Sequence, residues 1–251
     1  MKAEHTAIHY ASSGLSILLA IGISFFLSGQ IFGQNSFRPG LIAGTNFSYP
    51  DRDTELSEGF FTIYRSGLQG GVKGLFTFNN HFVIKTGLMY VTQSVGLRGE
   101  DQDFKTDVRV NHDNLLMPVQ LGYQNKLGTL ILRELLGISL AQNLSRNNNV
   151  SIENLGSATM QPQHTIDEVL NRSLLPMINV GIEIGSIFKN DAGFFIGVHY
   201  RQGLGKFYQF NYRGNYFNNN QFFSTKSNFL SIELTYYFSR PSYWFKKEFE
   251  F

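Results

Sequence analysis

The sequence predicts an all-β chain, an eight-stranded antiparallel up-and-down transmembrane β-barrel, from three observations. The first is the stretch Asp113 to Leu144, which reads as two long strands around a short turn signal at Asn125-Lys126-Leu127-Gly128. Leu115, Met117, Val119, Leu121 and Tyr123 share one parity, and Pro118, Gln120, Gly122 and Gln124 share the other. Period two marks a strand with one apolar face. About ten such residues cross a bilayer as a tilted strand. The second observation is that connections between strand-like segments alternate strictly between long and very short. Outer-membrane barrels have short periplasmic turns and long outer loops, and an even strand number returns both ends to the periplasm. The third is composition. Charged residues are 16%, aromatic residues 15%, glycines number 25 and mean hydropathy is −0.14. Low charge with mild polarity excludes a helical membrane protein and suits strands with one lipid-facing and one polar face.

Other classes are excluded in the same way. A formal charge of +2 without a Lys/Arg cluster argues against a nucleic-acid partner. The absence of cysteine removes disulfides, thiolate metal sites, a Cys nucleophile and a lipid-modified N-terminal Cys.

In chain order, residues 1–33 are predicted to be a signal peptide. Leu15 to Leu27 is an uninterrupted run of apolar and small residues, too short for a spanning helix, and Ser28, Gly29 and Gln30 follow. Cleavage is expected after Gly33, with Gly29 the second choice and a membrane-anchor helix the alternative reading. Residues 34–238 are assigned to the barrel. Strand one is expected over 40–48, with Leu41, Ala43 and Phe47 outward. Strand two covers 67–78, with Leu68, Val72 and Phe76 outward. Asn79-Asn80 turns into strand three over 81–97, with Phe82, Ile84, Leu88 and Tyr90 outward. The Asp113–Leu144 hairpin supplies strands four and five. Strand six spans 173–188, with Leu174, Ile178, Val180, Ile182 and Ile184 outward. Lys189-Asn190-Asp191 turns into strand seven over 193–205, with Phe194, Ile196, Val198, Tyr200 and Leu204 outward. Strand eight spans 228–238, with Leu230, Ile232, Leu234, Tyr236 and Phe238 outward. Residues 49–62, 99–111, 145–171 and 206–227 read as long polar connections.

The opposite parity predicts a polar lumen. Lys73, Lys85, Glu183, His199, Arg201 and Glu233 are expected to face inward and pair with one another, since facing lipid would cost ~2–4 kcal/mol for each midplane Arg or Lys. Eight strands leave room only for side chains and no open channel. Glu134 is a misfit. Strict parity points it outward with Leu132 and Leu136, unless a bulge or an interfacial position resolves it.

Several segments resemble a known family: LLMPVQLGYQNKLGTLILRELLGISLA at 115–141, PGLIAGTNFS at 39–48, GVHYRQGLG at 197–205 and FLSIELTYYF at 229–238. Together they are similar to the small outer-membrane β-barrel domains of Bacteroidetes, the PorT-like group. The resemblance implies the cell outer membrane of a Gram-negative bacterium and a structural or accessory role in an envelope complex, with type IX secretion as the family's best-known setting. It is a likeness of architecture, and fold kinship alone does not supply function.

The expected function is therefore non-enzymatic, with no cofactor, no metal and no small-molecule substrate. Membrane lipids and an envelope protein are the expected partners. His199 with Arg201 is the most catalytic-looking pair, but a lipid-modifying barrel enzyme, the rival reading, needs an outward His near the outer leaflet. His81, His112 and His164 lack ligand spacing. A surface adhesion or ligand-binding barrel is a further alternative, whereas a lipocalin-like carrier would need an apolar interior. Tyr208, Phe210, Tyr212, Tyr216, Phe217, Phe222 and Phe223 crowd one long connection. They read either as an aromatic girdle or as a partner surface. In residues 239–251, Pro241 breaks the strand, and Tyr243, Trp244 and Phe245 precede Lys246 and Lys247. This tail suits an interfacial anchor on the periplasmic leaflet or a docking peptide.

Overall fold

The computed structural model describes residues 36–49, 60–100, 104–154, 164–170, 174–206, 208–214 and 221–239. The expected signal peptide lies outside these residues, as do Tyr216, Phe217 and the tail beyond Ser239. The described chain is all strand: β1 (Ser36–Tyr49), β2 (Phe60–Phe78), β3 (Phe82–Glu100), β4 (Phe104–Leu127), β5 (Leu130–Asn154), β6 (His164–Leu170), β7 (Leu174–Ile187), β8 (Gly193–Gly203), β9 (Tyr208–Gly214), β10 (Gln221–Thr225) and β11 (Asn228–Tyr237). Eight of these close into an antiparallel barrel in the order β1-β11-β8-β7-β5-β4-β3-β2, with β1 also paired to β2.

The predicted parity holds around the wall. In β8 exposure alternates at every residue. Ile182, Leu121, Leu136 and Val72 are among the exposed apolar side chains, while Lys73, Lys85, Gln120, Asn179 and Glu183 are buried. Side chains that would be buried in a soluble protein are instead presented outward on nearly every strand, which is the surface a bilayer requires.

The turns follow from residue chemistry. Asn79 and Asn80 adopt φ of 49° and 61°, and both positive values define the tight hairpin turn that Asn tolerates. Between β4 and β5 the turn is Gly128-Thr129, two residues later than the expected signal, with Leu127 facing Leu130. Gly128 alone has positive φ, at 64°, so the first central position needs glycine. Between β7 and β8, Asp191 takes φ of 64°, and Phe188 N–H donates to Ala192 C=O at 2.7 Å.

Two expectations are corrected, and one left open is settled. First, the long connections are not all loop. Much of 60–66, 99–111 and 145–154 extends the barrel strands, and β6, β9 and β10 form a separate three-stranded sheet in the order β10-β9-β6. Alternation is present in places, as in FKTDVRV at 104–110 and YQFNYRG at 208–214, but these runs are short and set among charged and Asn-rich residues, so they read as connections. Second, the lumen is layered rather than polar throughout. Leu75, Val83, Ile131, Leu135, Phe195 and Tyr237 form a buried apolar ring towards the short turns. Met89, Leu116, Leu175, Met177 and Phe229 are buried towards the long connections. The charged residues lie between these layers. The question left open at Glu134 resolves as strict parity has it: the residue is exposed and faces outward, and no register shift interrupts β5 near it. Its place five residues beyond the Gly128-Thr129 turn puts it at the edge of the wall, where a carboxylate can reach water.

Candidate functional site

The middle layer of the lumen is the most concentrated chemistry in the described molecule. All six lumen residues predicted from parity are there, and strand register explains why they meet. Gly197 on β8 is the Cα partner of Glu183 on β7 and of Glu233 on β11. Both carboxylates therefore flank β8 at one height. His199, two residues further along β8, stands between them, with Nε2 3.3 Å from Glu183 and 3.2 Å from Glu233. The space for the ring comes from glycine. A Cβ at Gly181, directly across from His199, would sit 2.1 Å from its Nδ1.

Cations close the belt from both sides. Lys73 Nζ donates to Glu233 at 2.5 Å, and Arg201 Nη2 donates to the other Glu233 oxygen at 2.5 Å. Arg201 Nη1 also donates to Ser231 Oγ at 2.7 Å. Lys85 donates to Glu183 and lies 3.9 Å from Glu233. Gln69 adds a hydrogen bond to Glu233 at 3.1 Å. Every charged member is at most 3% exposed. Stripping solvent from so many charges costs several kcal/mol per ion, and dense pairing offsets it.

Arg133 belongs to this site and was missing from the predicted set. It is 0% exposed and reaches through the apolar ring, with its guanidinium 3.6 Å from the Phe195 ring centroid and 5.4 Å from that of Tyr237. Its Nε donates to Gln124 at 3.1 Å, and Nη1 lies 3.6 Å from Glu183. Strict parity that turns Glu134 outward turns Arg133 inward, but the charge at Glu134 left a bulge open in 130–136 and with it the facing of Arg133.

Glu183, His199 and Glu233 bring one ligand atom each within 4.8 Å of one another, a spacing a metal ion could use. The donor set does not fit one. Both carboxylates already accept hydrogen bonds from Lys73, Lys85 and Arg201, and a divalent cation would have to displace these neighbours while adding to an excess of positive charge. His199 is 0% exposed and lumen-facing, out of reach of an acyl chain in the bilayer.

At the turn end lies a cavity of about 630 Å³ lined by Arg38, Thr77, His81, Gln124, Lys126 and Asp191, among others. Arg38 is paired with Asp191 at 2.7 Å. The aromatic partner surface is only partly within the described residues. Register places Phe210 opposite Phe223, Asn211 opposite Phe222, and Tyr212 opposite Gln221, so Tyr208, Phe210, Tyr212, Phe222 and Phe223 lie on two paired strands rather than in a loop.

A family model described as "Outer membrane protein beta-barrel domain" matches residues 32–209. Among solved structures, the chain is similar to the outer membrane protein OprG from Pseudomonas aeruginosa, at 14% identity and a TM-score of 0.48, covering 82% of this chain and 98% of that one. It is also similar to Neisserial surface protein A, at 12% identity and a TM-score of 0.35, covering 81% and 96%. A third similar structure is Ail, the attachment invasion locus protein of Yersinia pestis, at 11% identity and a TM-score of 0.31, covering 82% and 99%. No curated protein matches the chain. The chain belongs to the outer membrane protein beta-barrel domain family.

Proposed function

From membership of that family, which places the chain in the Gram-negative outer membrane, we propose that it acts non-enzymatically, as a structural or accessory component of an envelope complex. The single observation that carries this reading is where the chain spends its order and its chemistry. Lys73, Lys85 and Arg201, with both lumenal carboxylates, are engaged in pairing with one another. Outside the lipid-crossing part of the wall, by contrast, the chain builds long strand extensions and a second sheet. A protein selected only to span the membrane needs neither, whereas one that holds a partner needs a presented surface. The aromatic positions of β9 and β10 make that sheet the favoured contact. A PorT-like role in secretion is one setting for such a component.

Crosslinking in intact cells, followed by purification of the full chain, tests the reading. Recovery of a defined envelope protein, lost when Phe210 and Phe223 are both changed to Ser, is the expected result. Recovery of the chain alone, together with a changed acyl pattern of outer-membrane lipid on mass spectrometry that His199→Ala abolishes, would sink it in favour of the enzyme.

A further inference from the structure

The buried belt does not balance its charge. Among the described residues it holds four cationic heads, Lys73, Lys85, Arg133 and Arg201, against two carboxylates, Glu183 and Glu233, all at most 3% exposed. An uncompensated charge in a desolvated interior is strongly unfavourable, so the surplus has to be met by something. Unmet donors at Arg133, Arg201 Nε and the Tyr237 hydroxyl stand against two unmet acceptors of the belt, Glu183 Oε2 and Gln69 Oε1. Lys73, Lys85 and Arg201 each donate to a carboxylate. Arg133 does not: its Nη1 reaches Glu183 Oε2 only at 3.6 Å, and neither Nη1 nor Nη2 has a hydrogen-bond partner. The Tyr237 hydroxyl is likewise buried without a partner, and its ring lies 5.4 Å from the Arg133 guanidinium. The unused donors of Arg133 and Tyr237 thus sit together, inside the apolar ring of Leu75, Val83, Ile131, Leu135 and Phe195.

The same place has a route to solvent. Gln124, which takes the Arg133 Nε hydrogen bond, lines the turn-end cavity, as does Ile131 of the ring. Arg38 and Lys126 also line that cavity; Asp191 pairs with Arg38, so Lys126 leaves the approach with one net positive charge, which favours anions.

We propose that Arg133 and Tyr237 form a binding site for a small inorganic anion of chloride size, which neutralises part of the lumenal surplus and enters from the turn end. The donors are enclosed by branched and aromatic side chains and are fully buried, which suits a small monatomic ion over a polyatomic one. The guanidinium supplies charge and two donors, and the phenol supplies a third.

The full-length protein in detergent micelles is heated in sodium chloride and in sodium gluconate at equal ionic strength, with unfolding followed by gel migration. The wild type is expected to gain thermal stability with rising chloride in a saturable manner, and Arg133→Leu to lose that dependence. Tyr237→Phe, which keeps the ring packing, should weaken the apparent chloride affinity about tenfold, as expected for one hydrogen bond to a charged group. If Arg133→Leu fails to assemble, Tyr237→Phe and anomalous scattering from bromide-grown crystals decide the matter. A bromide peak beside Arg133 sustains the site. Identical stability in chloride and gluconate, or bromide only elsewhere, overturns it and leaves water or a neutral lysine to settle the charge.

Discussion

Strands β2, β3, β4 and β5 run for 19, 19, 24 and 25 residues, whereas β7, β8 and β11 run for 14, 11 and 10. The tall side of the wall and the short side also differ in charge. Lys73, Lys85 and Arg133 come from the tall strands, and Glu183 and Glu233, with His199 and Arg201, from the short ones. Each half alone would line the lumen with mostly one sign of charge, so the two are complementary across the barrel rather than along any strand. The halves also divide their labour. The short strands are little more than membrane wall and acid, while the tall ones continue past the wall as a paired ribbon.

The largest effect should come from removing the acid where most cations converge. Glu233→Gln leaves Lys73 and Arg201 without their carboxylate and is expected to cost about 3–5 kcal/mol, read as a lower temperature for loss of heat-modifiable migration. The double change Lys73→Met with Glu233→Leu should recover part of that loss; if it is no better than the single change, the halves are not coupled by this pair. On the lipid side of the same short half, Ile182→Arg should cost about 2–4 kcal/mol, and an unaffected barrel would mean that β7 is not lipid-facing. Gly181→Ala pushes against the His199 ring and should cost about 1–3 kcal/mol through overpacking. His199→Ala in the same chain should relieve it, as measured by the same thermal shift. The smallest effect on the barrel belongs to the tall half. Removing residues 105–111 together with their β5 partners 147–153 should change barrel stability by no more than about 0.5 kcal/mol, while abolishing crosslinks that depend on the ribbon.

How much of this was legible depended on lipid. Where a strand crosses the membrane, apolar and polar residues alternate, so the outward row at Phe194, Ile196, Val198 and Tyr200 and the inward His199 and Arg201 could be read directly. Where the lumen turns apolar, around Ile131 and Leu135, both faces carry hydrocarbon and each carries one charge, so a bulge at Glu134 was as readable as strict parity and Arg133 stayed unassigned. Beyond the membrane the apolar alternation is short, as at 104–110 and 208–212, and set among charged and Asn-rich residues, so β6, β9, β10 and the upper parts of β4 and β5 looked like connections. Gly181 drew no reading from the sequence, because its reason for being there, an imidazole on the neighbouring strand, is a fact of register.

The pairing of β1 with β11 also has a meaning in time. Lys73 and Glu233 are separated by 160 positions, so their contact forms only when the final barrel strand arrives. A sheet that has reached β8 but not β11 carries Lys73, Lys85, Arg133 and Arg201 with Glu183 as the only carboxylate of the belt. Mutual repulsion then holds the unfinished lumen open and wet. Arrival of β11 supplies both the missing hydrogen-bonding edge for β1 and the missing negative charge, so zipping the seam and drying the interior become one event. Assembly of this kind is slow, because the loop-closure cost falls due before the reward, and it discourages premature closure on an incomplete set of strands.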